Sequence, residues 1–381
     1  MRNKTNVVVV LPYAENYDYQ YGGAIAHWVH AVMEASKLNY QIFSCSSYSN
    51  MGKTETSYYG HFLSLIKKMD YKLSQNFLVE RFFFLFRKFF CRDVFFIFSI
   101  YYKIKNIRTI IIHNRPLSAL LIRRLGFKGK IILHMHNSHF VNLSCKRWQQ
   151  CNTSCDAIVY CSKFLLRQGV KHAKYEATYS TVVYNGVQDD IFQLSNPENN
   201  IEKRSENIIF AGRLIPDKGL HFLIPAFANF SRKHKSYKLL VFGSSGSGNV
   251  QKITEYEREL RQLARFHSVE DKVKFCGHIG QRELIEVFKE NEVVVVPSVW
   301  EEPFGMVALE AMSCGCKVIA TRRGGMPEFL NVNTILVEPD IKAIQDGLEG
   351  SVLMKTKPVD VNRFLWKNIT DDYVKVINIR K

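Results

Sequence analysis

Four side chains carry the most chemical promise in this sequence: Arg213, Lys218, Glu302 and Glu310. Arg213 and Lys218 lie in Phe210-Ala211-Gly212-Arg213-Leu214-Ile215-Pro216-Asp217-Lys218-Gly219. An apolar strand there ends in a small-residue turn that carries two cations five residues apart, and a helix follows. Arginine offers a fork of donors and lysine a point charge, a pair suited to a pyrophosphate. The same composition also fits a solvated loop with incidental charges. Glu302 and Glu310 lie in the run Pro297 to Met312. The pattern there predicts a Pro-Ser turn, an acidic loop and a helix from Phe304 to Ser313. The first backbone N–H groups of that helix, at Phe304, Gly305, Met306 and Val307, suit a phosphate or an electron-rich hydroxyl. A carboxylate beside them could grip vicinal hydroxyls. Glu302 also fits an N-terminal capping acid, and Glu310 a surface residue. Leu309, Ala311 and Met312 around Glu310 favour a cleft instead.

A third turn, Ala320 to Glu328, joins a strand to a Gly324-Gly325 pair and a helix start at Pro327. Gly243-Ser244-Ser245-Gly246-Ser247-Gly248 lacks dinucleotide-binding order and reads as a rim loop. In the first half, Gly22-Gly23 opens a helix and lets the backbone approach an anion closely. Tyr13, Tyr17, Tyr19 and Tyr21 precede it, either as substrate contacts or as surface tyrosines. His134, His136 and His139 end another strand. Their i, i+2, i+5 spacing lacks a cysteine or acidic fourth ligand, so no metal is assigned. His136 reads instead as a hydrogen-bonding group facing a cleft.

Positioning these turns requires a scaffold of strands. Near-continuous apolar runs predict strands at Val7–Leu11, Thr109–His113, Lys130–His134, Ala157–Tyr160 and Thr181–Tyr184. Others are predicted at Asn207–Phe210, Lys238–Phe242, Val273–Phe275, Val293–Val296 and Lys317–Ala320. Helical periodicity lies between them, at Gly22–Ala35, Leu220–Lys233, Glu255–Phe266 and Arg282–Lys289, among others. This alternation predicts an α/β protein with two doubly wound, Rossmann-like domains facing a cleft. The domains are expected at 1–190 and 206–361, with a polar linker at 191–205. A C-terminal helix at 362–381 is expected to cross back to the N-terminal domain.

The chain has 381 residues and a formal charge of +17. Its composition, 46% hydrophobic and 23% charged, excludes a disordered or collagen-like chain. Residues 1–190 hold 25 basic and 11 acidic side chains, whereas 191–381 hold 27 and 24. The first half therefore faces an anionic partner. Nine cysteines without a Cys-x-x-Cys pair read as buried free thiols in a reducing compartment. No signal peptide or membrane-spanning helix is expected.

Across most of its length the chain resembles the retaining GT-B glycosyltransferases of family 4. The matching pieces are Gly22-Gly23, His136-Asn137, the run Val182 to Val187, Phe210 to Gly219, the Glu302…Glu310 pair, and Gly324-Gly325 with Pro327-Glu328. The resemblance implies a hexosyltransferase without a metal cofactor. It implies that Arg213 and Lys218 bind the donor diphosphate, with Gly23 near a phosphate. Phe304, Gly305, Met306 and Val307 would hold the donor sugar through their backbone, and Glu310 the ribose. Glu302 would lie near the anomeric carbon and His136 on the acceptor side. Within the family the likeness is greatest to lipopolysaccharide-core transferases. That implies UDP-N-acetylglucosamine as donor, followed by UDP-glucose or UDP-galactose, with a glycolipid or glycan acceptor.

Nine phenylalanines fall between Phe82 and Phe98, among Arg87, Lys88 and Arg92. Some must be core, but the mixture describes a segment lying on an anionic membrane. The expected location is the cytoplasm, peripheral on the inner face of the cytoplasmic membrane. A competing reading is a non-enzymatic protein that binds an anionic membrane or nucleic acid through its basic half. No nucleic-acid-binding signature accompanies that charge, and the ordered turns would then have no role.

Overall fold

A computed structural model describes residues 6–12, 24–44, 54–56, 92–174, 179–188, 204–244 and 253–379. The chain divides into two compact units. One is Met1–Tyr184 with Ile369–Lys381, and the other is Asn185–Asn368.

The first unit is built on seven parallel strands: β1 (Val7–Val10), β2 (Tyr40–Ser44), β3 (Thr54–Thr56), β4 (Thr109–His113), β5 (Lys130–Met135), β6 (Ala157–Tyr160) and β7 (Tyr179–Val182). Its described helices are α1 (Ala24–Ala35), α2 (Arg92–Ile104), α3 (Pro116–Arg124), α4 (Cys145–Ser154) and α5 (Lys163–Ala173). The spatial order is β3-β2-β1-β4-β5-β6-β7. β1, β4, β5 and β6 are buried along their whole length, as parallel strands covered on both faces must be. Local chemistry sets the helix starts. Pro116 opens α3, and the Ser144 and Ser162 hydroxyls accept backbone N–H bonds at the starts of α4 and α5.

The second unit has six parallel strands: β8 (Ser205–Ala211), β9 (Lys238–Phe242), β10 (Val273–Gly277), β11 (Asn291–Val296), β12 (Lys317–Thr321) and β13 (Thr334–Val337). They run in the order β10-β9-β8-β11-β12-β13. Helices α6 (Leu220–Ser231), α7 (Glu255–Phe266), α8 (Gln281–Glu290), α9 (Met306–Ser313) and α10 (Ile341–Leu353) connect them. Phe210, Leu223, Phe227, Phe230, Leu239, Val241 and Leu260 belong to its main core.

Both sheets share one topology. The first strand has the second on one side and the fourth on the other, so the winding reverses beside it. At such a switch point the two flanking connections leave in opposite directions and open a crevice at the carboxyl ends of the strands. In the second unit that point lies between β8 and β11. In the first it lies between β1 and β4.

The predicted elements are present within a few residues, with three additions and two corrections. β2, β3 and β13 join the predicted strands. The helix expected from Phe304 begins at Met306, because Gly305 at φ 101° cannot continue a right-handed turn. The last helix, α11 (Trp366–Asn378), is preceded by a separate 3-10 turn, Asn362–Phe364; extended Leu365 breaks the two apart. Residues Ile369–Lys381 belong to the first unit. There Lys130 donates to the carbonyls of Val376, Ile377 and Ile379 at 2.6, 3.0 and 2.9 Å. A cation thus satisfies carbonyls that a helix end leaves unpaired.

Gly22, Gly23, the tyrosines from Tyr13 to Tyr21, Ser245 to Gly248 and most of the predicted linker lie outside the described residues. So does Phe82 to Cys91 of the aromatic segment. In the described part of α2, Phe96, Ile97, Ile100 and Ile104 form a buried stripe, whereas Phe98 and Tyr102 are exposed. Among the described residues no helix is long and apolar enough to cross a membrane.

Candidate functional site

The second unit gathers its polar chemistry at the β8/β11 switch point. After β8 the chain passes Gly212 and Arg213 into a 3-10 turn, Pro216–Lys218, which ends at Gly219 with φ 72°. A side chain at Gly219 would collide with the Pro297 carbonyl oxygen, its Cβ only 1.9 Å away. This glycine therefore lets the β8 turn pack directly on the β11 turn. Val299 N–H donates to the Asp217 carbonyl at 2.9 Å and fastens the two together.

That contact delivers Lys218 to Glu302. Lys218 Nζ donates to Glu302 Oε1 at 2.6 Å, and the Ser298 hydroxyl donates to the same oxygen at 2.6 Å. The ammonium also lies 5.6 Å from the centre of the Trp300 ring. Glu302 is buried, at 6% exposure, so its charge depends on these two donors. The third turn closes against the same residue. Gly325 N–H donates to the Glu302 carbonyl at 2.8 Å, and Gly324 N–H to Glu301 Oε2 at 2.5 Å. Thr321, at the end of β12, donates its hydroxyl to the Ser298 carbonyl.

Glu310 lies inside α9, buried at 6% exposure, where it accepts a 2.7 Å bond from Gln281 Nε2. Burial pushes its carboxyl up to about 7, and the Gln281 bond opposes this only partly. Above the ordinary carboxylate range and below about pH 7, the unfolded chain has lost this proton and the folded chain keeps it. Stability from this group is full below about pH 4.5 and is lost as pH rises toward 7. Glu310→Gln should therefore flatten the decline in stability between about pH 4.5 and 7. Urea titrations at several pH values would read it, and an unchanged slope would refute the assignment.

The donor-side residues separate into three groups. Lys218, Glu302 and Ser298 form one bonded cluster. Arg213 shares the turn with Lys218 but is exposed, and its guanidinium has no partner among the described residues. The expected convergence of the two cations is thus replaced by a Lys218–Glu302 pair beside an outward-facing Arg213. At the start of α9, the N–H groups of Met306 and Val307 are without an acceptor among the described residues. Phe304 differs from the expectation. It lies before the helix, and its ring is buried and stacked on Phe329 at 4.6 Å between centres. Gly305 is held against Met326 instead of opening the helix as its second residue.

The first unit places His136 just beyond β5. It is not joined by His139, which is exposed on a 3-10 turn and bonded through its N–H to Asn137. Instead, His113 from the neighbouring strand comes within 2.9 Å, its Nδ1 against His136 Nε2. Asn114, in the left-handed region at φ 54°, donates its N–H to the His134 carbonyl and accepts from His136 N–H. Burial lowers all three imidazoles: His113 and His134 well below their ordinary value and His136 to about 3. Sequence spacing missed His113 because its partner lies across a strand pair, with His113 in register with His134.

Known proteins now bear on this geometry. Residues 192–359, which hold the whole β8/β11 cluster, match the family described as "Glycosyl transferases group 1". The chain carries a group 1 glycosyl transferase domain. The chain is 26% identical to the lipopolysaccharide 1,2-N-acetylglucosaminetransferase of Salmonella typhimurium, over 69% of its own length and 71% of that protein. It is 32% identical to an uncharacterized glycosyltransferase of Methanocaldococcus jannaschii, over 52% of its own length and 53% of that one. Among solved structures, Anabaena Alr3699/HepE in complex with UDP aligns with a TM-score of 0.71 at 16% identity, covering 98% of this chain and 99% of that one. That likeness shows the fold, which is GT-B.

Proposed function

We propose that this glycosyl transferase is a retaining hexosyltransferase of family 4. It moves a sugar from a nucleotide diphosphate sugar to a lipopolysaccharide-core or other cell-surface glycan acceptor. The observation that carries the reading is the Lys218–Glu302–Ser298 cluster. It sits at the switch point of the unit that matches the group 1 family, with Glu310 about one turn along the following helix. Lys218 and Arg213 meet the diphosphate and stabilise the charge that develops on it as the glycosidic bond breaks, an effect that preorganised cations supply without reorganisation. The reading assigns no metal to that step. Backbone N–H groups at Met306 and Val307 hold the sugar hydroxyls, and Glu310 accepts from the ribose. Glu302 sits beside the anomeric carbon, and His136 serves the acceptor.

The Salmonella relative's name supports UDP-N-acetylglucosamine as first choice of donor, ahead of UDP-glucose and UDP-galactose. A glycolipid acceptor suits the basic first half and the aromatic segment, and with them a peripheral position on the inner face of the cytoplasmic membrane. The test is a melting-temperature and turnover screen against UDP-, GDP- and ADP-sugars. A rise with one nucleotide diphosphate and release of that nucleotide on adding acceptor is the expected outcome. Stabilisation by polynucleotide or anionic vesicles alone, with no nucleotide response, would replace the transferase reading with the binding one.

A further inference from the structure

The histidines of the first unit have no part in the donor chemistry, and their surroundings are unusual. His113 ends β4, His134 lies opposite it in β5, and His136 follows on the same side of the chain two residues later. One ring nitrogen from each lies within 4.8 Å of the other two. His113 and His134 are wholly buried, and His136 is partly exposed.

Their hydrogen bonding is incomplete. Among the described residues neither ring nitrogen of His134 has a partner, nor does Nε2 of His113, and all three atoms are shut off from solvent. A neutral imidazole always carries one N–H and one lone pair. Both nitrogens of His134 and one of His113 are thus buried polar atoms without a partner among the described residues, gathered in one cluster. The rings walling the cluster share the defect. Trp28 stands edge-on to His134 at 4.5 Å between centres and Tyr373 lies 5.3 Å from it, and Trp28 Nε1 and Tyr373 Oη are buried and unpartnered too.

We propose that His113, His134 and His136 form a binding site for a first-row divalent transition metal, Zn²⁺ in the simplest case. Three imidazoles without a carboxylate select such ions over Mg²⁺ or Ca²⁺. Zinc takes imidazole nitrogens at about 2.0–2.1 Å, which the present spacing reaches by small ring rotations. The Trp28 and Tyr373 polar atoms are then available to a water completing four-coordination. The ion ties the ends of β4 and β5 together and fixes the ring of His136. This inference concerns the first unit alone and does not depend on the proposed transfer reaction.

The experiment is a Co²⁺ titration of the untagged, full-length chain after chelator treatment and dialysis. One Co²⁺ per chain is expected, with the visible absorption bands of four-coordinate cobalt, displaced by Zn²⁺. His136→Ala, at the most accessible ligand, should weaken uptake by more than about 100-fold, beyond the roughly 10–100-fold that losing an outer-shell partner costs. His134→Gln should do the same, whereas His139→Ala should not. A folded wild-type chain that takes up no stoichiometric cobalt would overturn the proposal and leave ordered water as the occupant. Uptake unchanged in both His136→Ala and His134→Gln would overturn it equally, by placing the ion elsewhere.

Discussion

Lys218→Ala is expected to lower sugar transfer by about 10²–10³-fold, the usual loss when one preorganised charge-stabilising donor is removed. The effect has two parts, because Lys218 also neutralises a buried carboxylate. Without it, Glu302 Oε1 keeps the Ser298 hydroxyl alone among the described residues. Breaking such a pair from one side costs about 2 kcal/mol here, less than for a fully dry pair because Lys218 remains 21% exposed. The double variant Lys218→Ala/Glu302→Gln separates the parts: stability should return while turnover does not. Arg213→Ala, at an exposed cation unpaired among the described residues, should lose turnover by a similar factor with its melting temperature unchanged. Near-normal transfer in both Lys218→Ala and Arg213→Ala would reject the diphosphate assignment.

Gly324→Ala is the second large effect. At φ 60° its Cβ would lie 1.9 Å from the Glu302 carbonyl oxygen and 2.6 Å from Glu302 N and C. All three are backbone atoms, so no side chain can swing aside. Left-handed strain of about 1–2 kcal/mol adds to displacement of about 1–3 kcal/mol, for a loss of about 2–5 kcal/mol. Since the shifted backbone is that of Glu302, turnover should fall with stability. Gly277→Ala is the control. Its φ is 80°, yet nothing lies within 4 Å of the added Cβ, so only the conformational part remains. Equal destabilisation of the two variants in denaturant titrations would show that the turn is not locked against Glu302.

The scaffold was largely legible because fully covered parallel strands leave continuous apolar runs such as Val7–Val10 and Val293–Val296. The strands overlooked are those that break that pattern. β2 interrupts its run with Gln41, β3 has three polar residues, and β13 is only half-buried. Local spacing also placed Arg213, Lys218 and Glu302 in the turns after the correct strands, and Glu310 in the helix that follows. It could not show that Lys218 would be spent on Glu302, because that bond joins residues 84 apart through the contact of Gly219 with Pro297. Phe304 was misread for a local reason. Its apolar neighbours continue the helical period, but the left-handed Gly305 stops the helix and frees the ring to stack on Phe329. The third histidine was hidden in the same way as the ion pair, since a count along one strand does not register its neighbour across the sheet.

The anchorage of the last helix by Lys130 also fixes an order of events at the ribosome. Tyr373, which fills the space against Trp28 and His134, is synthesised after the whole of Asn185–Asn368. At about 5–20 residues per second, roughly 10–40 s separate the last strand of the first unit from the residues that complete it. Throughout that interval the nascent first unit exposes Trp28 and its histidine wall, while the second unit is still being synthesised. A force profile on stalled chains should register a late folding step once Tyr373 and its neighbours emerge; a profile with no late step would refute this order. An early-translated domain that waits for residues made after its neighbour is thus a natural client for a holding chaperone.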